Sequence, residues 1–483
     1  MTVKRQALIW SIIYTLMIII SNTIIFNLTS DSYLQLYVAG YICFMELIIF
    51  VIINSKIHGQ VLNFSMVFVI VLFVFNFGQL MIYTFFKEIY PHVRFLVLFS
   101  PEIAINGIKY INLAFTTLCV GILVAEINVK TEIIKYKDYF MNKRYDFIKV
   151  SKNIILFTFP IKIIIDFMTL IVSLTEGGFA ARVWLNNFPN VLVYYGKISL
   201  IGFALLIILY KEKSVKQNFI FMFIEMYILI MMISGVRSEN VGYLLIFAYI
   251  YIENTTKKIS GIKLLLYGVL VVILLAFIIT AGEYRTVVDK SFNGFYNTFI
   301  DALTKRNVIL SLFDTCGDTG YTAQCVINKW LPLYGPSGGD SYYLGIFSVI
   351  PNIPKILTLP GELTKQSYFA LKLQDAGTLS EYYLNIGGSL IGEQFFNFGL
   401  IGGSVATFII GFFLGRTSHK FSSYLKNDNF YGLIRIIPIM FASIYWIRDY
   451  FGGGFREIIW GPLICCFIIN ITKRYIQVLD IKH

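Results

Sequence analysis

Charge is scarce in this chain. Only 14% of its 483 residues are Asp, Glu, Lys or Arg, against roughly a quarter in soluble domains. That shortage excludes an ordinary soluble globular protein. Histidine is scarcer still: the four are His58, His92, His419 and His483. There is no Asp-x-Asp pair, no Walker A loop, no Cys-x-x-Cys and no His-Glu-x-x-His. No metal centre and no cofactor is therefore expected. Cysteine is sparse, at six residues. Cys43, Cys119, Cys465 and Cys466 fall in apolar runs and read as packing residues. Cys316 and Cys325 lie close together between runs, where they could form a disulfide if that segment is extracytoplasmic.

What is abundant is hydrocarbon, at 57% of residues. It falls in blocks of about 20, the length of a helix that crosses a bilayer. Within lipid the backbone must satisfy its own hydrogen bonds, and continuously apolar blocks do so as helices. The expected fold is an all-α polytopic integral membrane protein with about twelve spans. We place them near 7–27, 33–54, 61–86, 107–129, 153–175, 190–210, 218–234, 240–252, 262–281, 399–416, 431–448 and 457–472. Met1 to Arg5 is basic and leads into the first run, but Ser21-Asn22-Thr23 offers no small-x-small cleavage site. It reads as an uncleaved first span.

The net charge of +12 is not a nucleic-acid signal here, because most cations sit between spans. Lys4, Arg5, Lys56, the basic stretch 130–152, Lys211, Lys213, Lys216, Lys257, Lys258, Lys263, Arg416, Lys420, Lys426, Lys473, Arg474 and Lys482 mark one face. The other face carries fewer: Lys87, Arg94, Lys109, Arg182, Arg237, Arg448 and Arg456 in short loops and span ends. The positive-inside rule then puts both termini in the cytoplasm. The organisation read from hydropathy is 1–281 with nine spans, 282–398 as a large outer loop over the site, and 399–483 with the last three spans.

That loop is rich in Tyr, Phe, Leu and Ile, unlike a disordered segment. Phe295 to Phe313 has near-helical apolar spacing, Tyr321 to Trp330 suits a second short helix, and Ile350-Pro351-Asn352-Ile353-Pro354 ends regular structure. Short helices lying on the membrane surface are expected.

The outer connections combine glycine with charge. Arg237, Arg285, Arg448 and Arg456 all flank spans on the face where cations are disfavoured. An arginine fork suits phosphate oxygens, whereas the plainer reading is snorkelling or pairing with Glu239, Glu283, Asp449 and Glu457. Within spans lie Lys162 and Asp166 one turn apart, Lys197, Glu225 and Arg435. Charge there is costly and marks function or internal ion pairs. Lys162 with Asp166 suits an internal pair, and Lys197 could face an outer cavity and help hold phosphate. Candidate bases on the outer face are Glu239, Glu283, Asp314, Asp318, Asp340, Glu381, Glu393 and Asp449. Glu393 stands out among glycines just before a span, where it could equally cap a helix N-terminus.

Three patches are similar to a known family: Ser234-Gly235-Val236-Arg237-Ser238-Glu239 at a span end, Tyr343 to Pro354 ending in Ile-Pro, and Gly387-Gly388-Ser389 with Gly392-Glu393 and Asn397-Phe398-Gly399. With one large outer loop late in the chain, the sequence resembles the Wzy-type polymerases of O-antigen and capsule repeat units. The resemblance implies a GT-C-like membrane fold. It also implies a metal-independent glycosyltransferase that joins undecaprenyl-pyrophosphate-linked oligosaccharides on the outer face of the bacterial inner membrane. Glu393, Glu239 and Arg285 become the candidates for catalysis. Arg237, Arg285, Arg448, Arg456 and Lys197 become the candidates for holding pyrophosphate. The family's paired arginine-glycine loop pattern is absent after Arg285. Expected partners are the lipid-linked oligosaccharide, the bilayer and a chain-length regulator, with no nucleic acid. The alternatives are a lipid-oligosaccharide flippase or an O-antigen ligase. Resembling ligases use a histidine in the large outer loop, and this chain has none there.

Overall fold

The structure, a computed structural model, describes residues 9–16, 20, 30–58, 62–88, 94–127, 144–177, 180–181, 184–185, 188–211, 214–234, 237–254, 276–277, 280, 292–304, 307–350, 372–373 and 387–481. Its helices are α1 (Ser32–His58), α2 (Phe64–Phe86), α3 (Arg94–Leu98), α4 (Pro101–Ile127), α5 (Arg144–Glu176), α6 (Asn190–Leu209), α7 (Ser214–Met232) and α8 (Arg237–Asn254). They continue as α9 (Phe292–Thr304), α10 (Val308–Cys325), α11 (Leu331–Tyr334), α12 (Asp340–Phe347), α13 (Leu390–Lys426), α14 (Phe430–Trp446) and α15 (Phe451–Ile481). A π-helical turn, Val326–Trp330, joins α10 to α11. Among the described residues there is no strand, and 8 helices are long and apolar enough to cross a membrane: α1, α2, α4, α5, α6, α7, α13 and α15. Most of the expected first and ninth spans lies outside the described residues, as does Arg285.

The chain forms two compact units, each drawn from three separate stretches. The first takes residues 1–132, 312–420 and 443–455. In it α1 packs on α2 and α4. Glu46 is buried in α1 and accepts from Asn112 Nδ2 at 3.3 Å and Thr116 Oγ1 at 3.4 Å. Helices α4 and α13 meet backbone to backbone: a Cβ on Gly411 would lie 2.0 Å from the Leu118 carbonyl oxygen. Only glycine permits that approach.

Helix α10 differs from the surface helix expected of this segment. It is a packed element of the first unit, with Gly317, Thr319, Gly320, Thr322 and Ala323 buried. Gln79 of α2 donates to Asp318 Oδ1 at 3.0 Å. Small residues along one helix face let two backbones approach, a packing mode typical of membrane helices. The same helix explains why Cys316 and Cys325 are not disulfide-bonded. Nine residues at about 1.5 Å rise separate them by roughly 13 Å, while a disulfide needs Cα atoms within about 7 Å. Burial also pushes the Cys325 thiol up to about 12.

The tenth span was expected from 399, but α13 already begins at Leu390. Ser389 caps it, its Oγ accepting from Gly392 N at 3.1 Å. Gly399, at φ 70° and ψ −172°, interrupts the helix. The sequence boundary coincides with this break rather than with the start of the helix.

The second unit takes residues 133–311, 421–442 and 456–483. Helices α5 and α6 run along each other, with Gly196 of α6 against the Lys162 backbone of α5. Phe159 of α5 meets Phe203 of α6 with ring centroids 5.0 Å apart. Asn153 of α5 donates to Thr472 Oγ1 of α15 at 3.1 Å.

Candidate functional site

Each unit contains one of the singled-out carboxylates in a dense polar cluster. In the first unit the start of α13 brings Glu393 beneath α12 and beside the turn between α14 and α15. Glu393 is fully buried. Its Oε1 accepts from Ser341 Oγ at 2.6 Å. Its Oε2 accepts from Trp446 Nε1 at 2.7 Å and from the backbone N–H of Phe451 at 2.9 Å. Phe451 opens α15, so the carboxylate caps the start of a different helix from its own, where negative charge is favoured.

The neighbours reinforce this clamp. Asn397 Nδ2 donates to Ser341 Oγ at 2.8 Å and to the Glu393 carbonyl at 2.7 Å. Asn397 Oδ1 accepts from Ser337 Oγ at 3.1 Å. Tyr342 donates to Gln394 Oε1 at 2.6 Å and packs against Phe451, ring centroids 4.7 Å apart. Burial pushes the Tyr342 phenol well above its ordinary value, and the Glu393 charge adds to the rise. The hydroxyl therefore stays a donor. Gly388 makes the close approach to the α14–α15 turn possible, since a Cβ there would lie 2.4 Å from the Asp449 carbonyl carbon. Arg448 Cζ stands 6.0 Å from the Phe75 ring.

In the second unit three charges from three helices meet. Lys197 lies two turns into α6, Glu239 in the first turn of α8, and Glu457 near the start of α15. Lys197 Nζ is 2.5 Å from Glu239 Oε1 and 2.9 Å from Glu457 Oε1. Tyr243, one turn along α8, donates to Glu239 Oε1 and lies 3.4 Å from Glu457 Oε1. Two carboxylates share one ammonium, so the triad carries a formal charge of −1. The side chains of this cluster are only 12–16% exposed. Arg456 Cζ sits 5.4 Å and Lys197 Nζ 5.1 Å from the same Tyr194 ring. Arg237 is the first residue of α8, two positions from Glu239.

An open cavity borders this triad, with Lys197, Glu239, Asn240 and Ser234 on its wall beside Lys162 and Asp166 of α5. Lys162 Nζ pairs with Asp166 Oδ2 at 2.8 Å, and Tyr227 of α7 donates to the same oxygen at 2.5 Å.

Of the sequence candidates, the structure joins Lys197 to Glu239 and places Arg456 at the same cluster. It brings Glu393 into a separate cluster in the other unit. Sequence reading had Glu457 only as a partner for an arginine, and it passed over Ser341, Tyr342, Trp446 and Tyr243. Trp446 and Tyr342 carry no charge and sit where interfacial aromatics are ordinary, so composition offered no signal.

Fold and clusters together define a polytopic helical membrane protein with largely buried ionic groups beside a cavity of mixed polar and apolar wall, which is the makeup of a membrane-embedded enzyme or transporter. The sequence model of the O-antigen polysaccharide polymerase Wzy family matches residues 7–477, and the chain belongs to that family. No curated protein and no solved structure matches the chain. Membership makes this a multi-pass inner-membrane polymerase of O-antigen repeat units, with glycosyltransferase-type activity on a lipid-linked oligosaccharide.

Proposed function

We propose that the polymerase works on undecaprenyl-pyrophosphate-linked repeat units at the outer face of the membrane, with Glu239 as its base. One observation carries this reading: Glu239 lines an open cavity of mixed polar and apolar wall while Lys197 and Tyr243 hold its carboxylate in place. Glu393 is the weaker base, because it is fully buried and both its oxygens already accept hydrogen bonds. Its proposed role is to fix the turn between α14 and α15.

The reaction needs no nucleotide, since the donor arrives activated on its carrier. The acceptor hydroxyl gives its proton to Glu239, and its oxygen forms the new bond to the donor's anomeric carbon. The bond from that carbon to the pyrophosphate oxygen breaks, and the electron pair leaves with the pyrophosphate. Positioning and fixed charge then supply the catalysis. In this reading no metal takes part. Arg237 and Arg456 are proposed to meet the pyrophosphate charge, while Lys197, a further candidate from the sequence, is already shared by Glu239 and Glu457. Arg285 and Arg448 are proposed for the same charge on sequence grounds alone. The surplus of cations on one set of connections supports cytoplasmic termini, and a chain-length regulator is a proposed partner.

The test is Arg456→Ala and Arg456→Lys in a host lacking its own copy, with surface glycan read on a gel. Loss of long polymer in both, at normal protein level, fits a phosphate fork. Full polymer length in the alanine variant removes Arg456 from the site.

A further inference from the structure

The polymerase reading assigns no role to one charged pair, Lys162 and Asp166, in the middle of the long helix α5. A helix-packing pair in lipid has its hydrogen bonds used up internally. This pair does not. Lys162 Nζ and Tyr227 OH both converge on Asp166 Oδ2, which leaves Oδ1 without a partner among the described residues. Lys162 is 9% exposed. Among the described residues its ammonium pairs with Asp166, lies 5.9 Å from the Tyr227 ring and is close enough to Glu239 and Glu457 to act on their charge. An ammonium has three N–H donors, so donors are left over as well. Spare donors on the nearly buried Lys162 are costly unless something takes them up, and the Asp166 side chain, 20% exposed, is open to a ligand.

Both residues line the cavity that Glu239 borders. The lining also identifies the chemistry of the occupant. Two cations, Lys162 and Lys197, meet three carboxylates, Asp166, Glu239 and the Glu457 that shares Lys197, so these five groups sum to −1. A pyrophosphate has no reason to prefer such a site. The remaining wall is mixed: Ile165, Leu185, Val193 and Met231 are apolar, while Thr169, Ser234 and Asn240 are polar, the Ser234 hydroxyl donating to the Met231 carbonyl. Apolar surface beside convergent donors and acceptors suits a neutral pyranose ring, which shows C–H on its faces and hydroxyls around its edge. We propose that Lys162 and Asp166 form a subsite for the terminal sugar of the acceptor repeat unit, Asp166 accepting from one sugar hydroxyl and Lys162 donating to another. The proposal rests on Glu239 as the base, since a sugar held there presents a hydroxyl to that carboxylate.

The test uses the full-length protein in detergent. The probe is the host's own repeat-unit oligosaccharide, released from its carrier by mild acid, and the readout is the shift in unfolding temperature as the probe is titrated. Wild-type protein should be stabilised, and inorganic pyrophosphate should not compete. Asp166→Asn should move the titration midpoint up by roughly tenfold or more, the worth of one charge-assisted hydrogen bond. The double variant Lys162→Asp with Asp166→Lys keeps an ion pair for folding but exchanges donor and acceptor, and it should weaken the probe equally. An unchanged midpoint in either folded variant overturns the subsite. So does stabilisation by pyrophosphate in place of the sugar, which assigns the cavity to the carrier. Glu239→Gln separates the two claims: it should still bind the oligosaccharide while losing polymerisation. If it polymerises normally, the base assignment falls, whatever Asp166 does.

Discussion

Glu239 and Glu393 carry the same chemical group and were both candidates from the sequence, yet the structure gives them different surroundings. Glu239 is held by a cation and one phenol at the edge of a cavity. Glu393 is held by three donors and no cation. Replacing Glu393 with Gln puts an amide donor where only acceptors fit Ser341, Trp446 and Phe451. Each hydrogen bond lost there costs about 1–3 kcal/mol, so Glu393→Gln should lower the unfolding temperature in detergent. An unchanged unfolding temperature would show that the clamp is not structural. Lys197 offers a second test. Lys197→Met leaves two neighbouring carboxylates without their cation, a loss of about 3–5 kcal/mol for a broken buried pair. Lys197→Arg should retain the fold. If Lys197→Met unfolds at the wild-type temperature, the triad is not the bridge described here. The sequence showed Lys197 because a cation in an apolar run is conspicuous. It did not show that two carboxylates would claim it, because that depends on which helices meet.

At the scale of elements, the sequence was most readable where apolar runs are long and least readable where polar residues are buried. Leu390 to Phe398 read as loop because it carries Glu393, Gln394 and Asn397. All three are buried, and their hydrogen bonds to α12 and the α14–α15 turn make the stretch helical. Likewise the sequence suggested short surface helices over Phe295 to Phe313 and Tyr321 to Trp330, whereas α10 runs through the polar stretch between them and packs part of its surface on α2. Glycine marked the decisive points without saying what each did. Gly399 takes a positive φ, so Gly399→Ala should destabilise by about 1 kcal/mol or more. Gly411→Val would drive α13 away from α4 and should reduce both membrane yield and unfolding temperature. Normal values for Gly411→Val would contradict the backbone contact at Leu118.

The whole molecule is a helical membrane polymerase whose two units each collect distant stretches of chain. Hydropathy divides the chain at 281 and 398 because it reads each segment in isolation. It has no information on which segments pack together, so the interleaving was not visible. The family, by contrast, was legible in three short glycine-rich or proline-ended patches. The central claim is that the carboxylate of Glu239 removes the acceptor proton in chain growth. Its most direct test is Glu239→Gln expressed in a host deleted for this protein, with surface glycan run on a gel and the protein quantified in membranes. Wild-type complementation should restore the long ladder. Glu239→Gln, at equal abundance, should leave glycan carrying a single repeat. A full ladder from Glu239→Gln would contradict the account, and loss of every surface repeat in the deletion strain would point to a flippase.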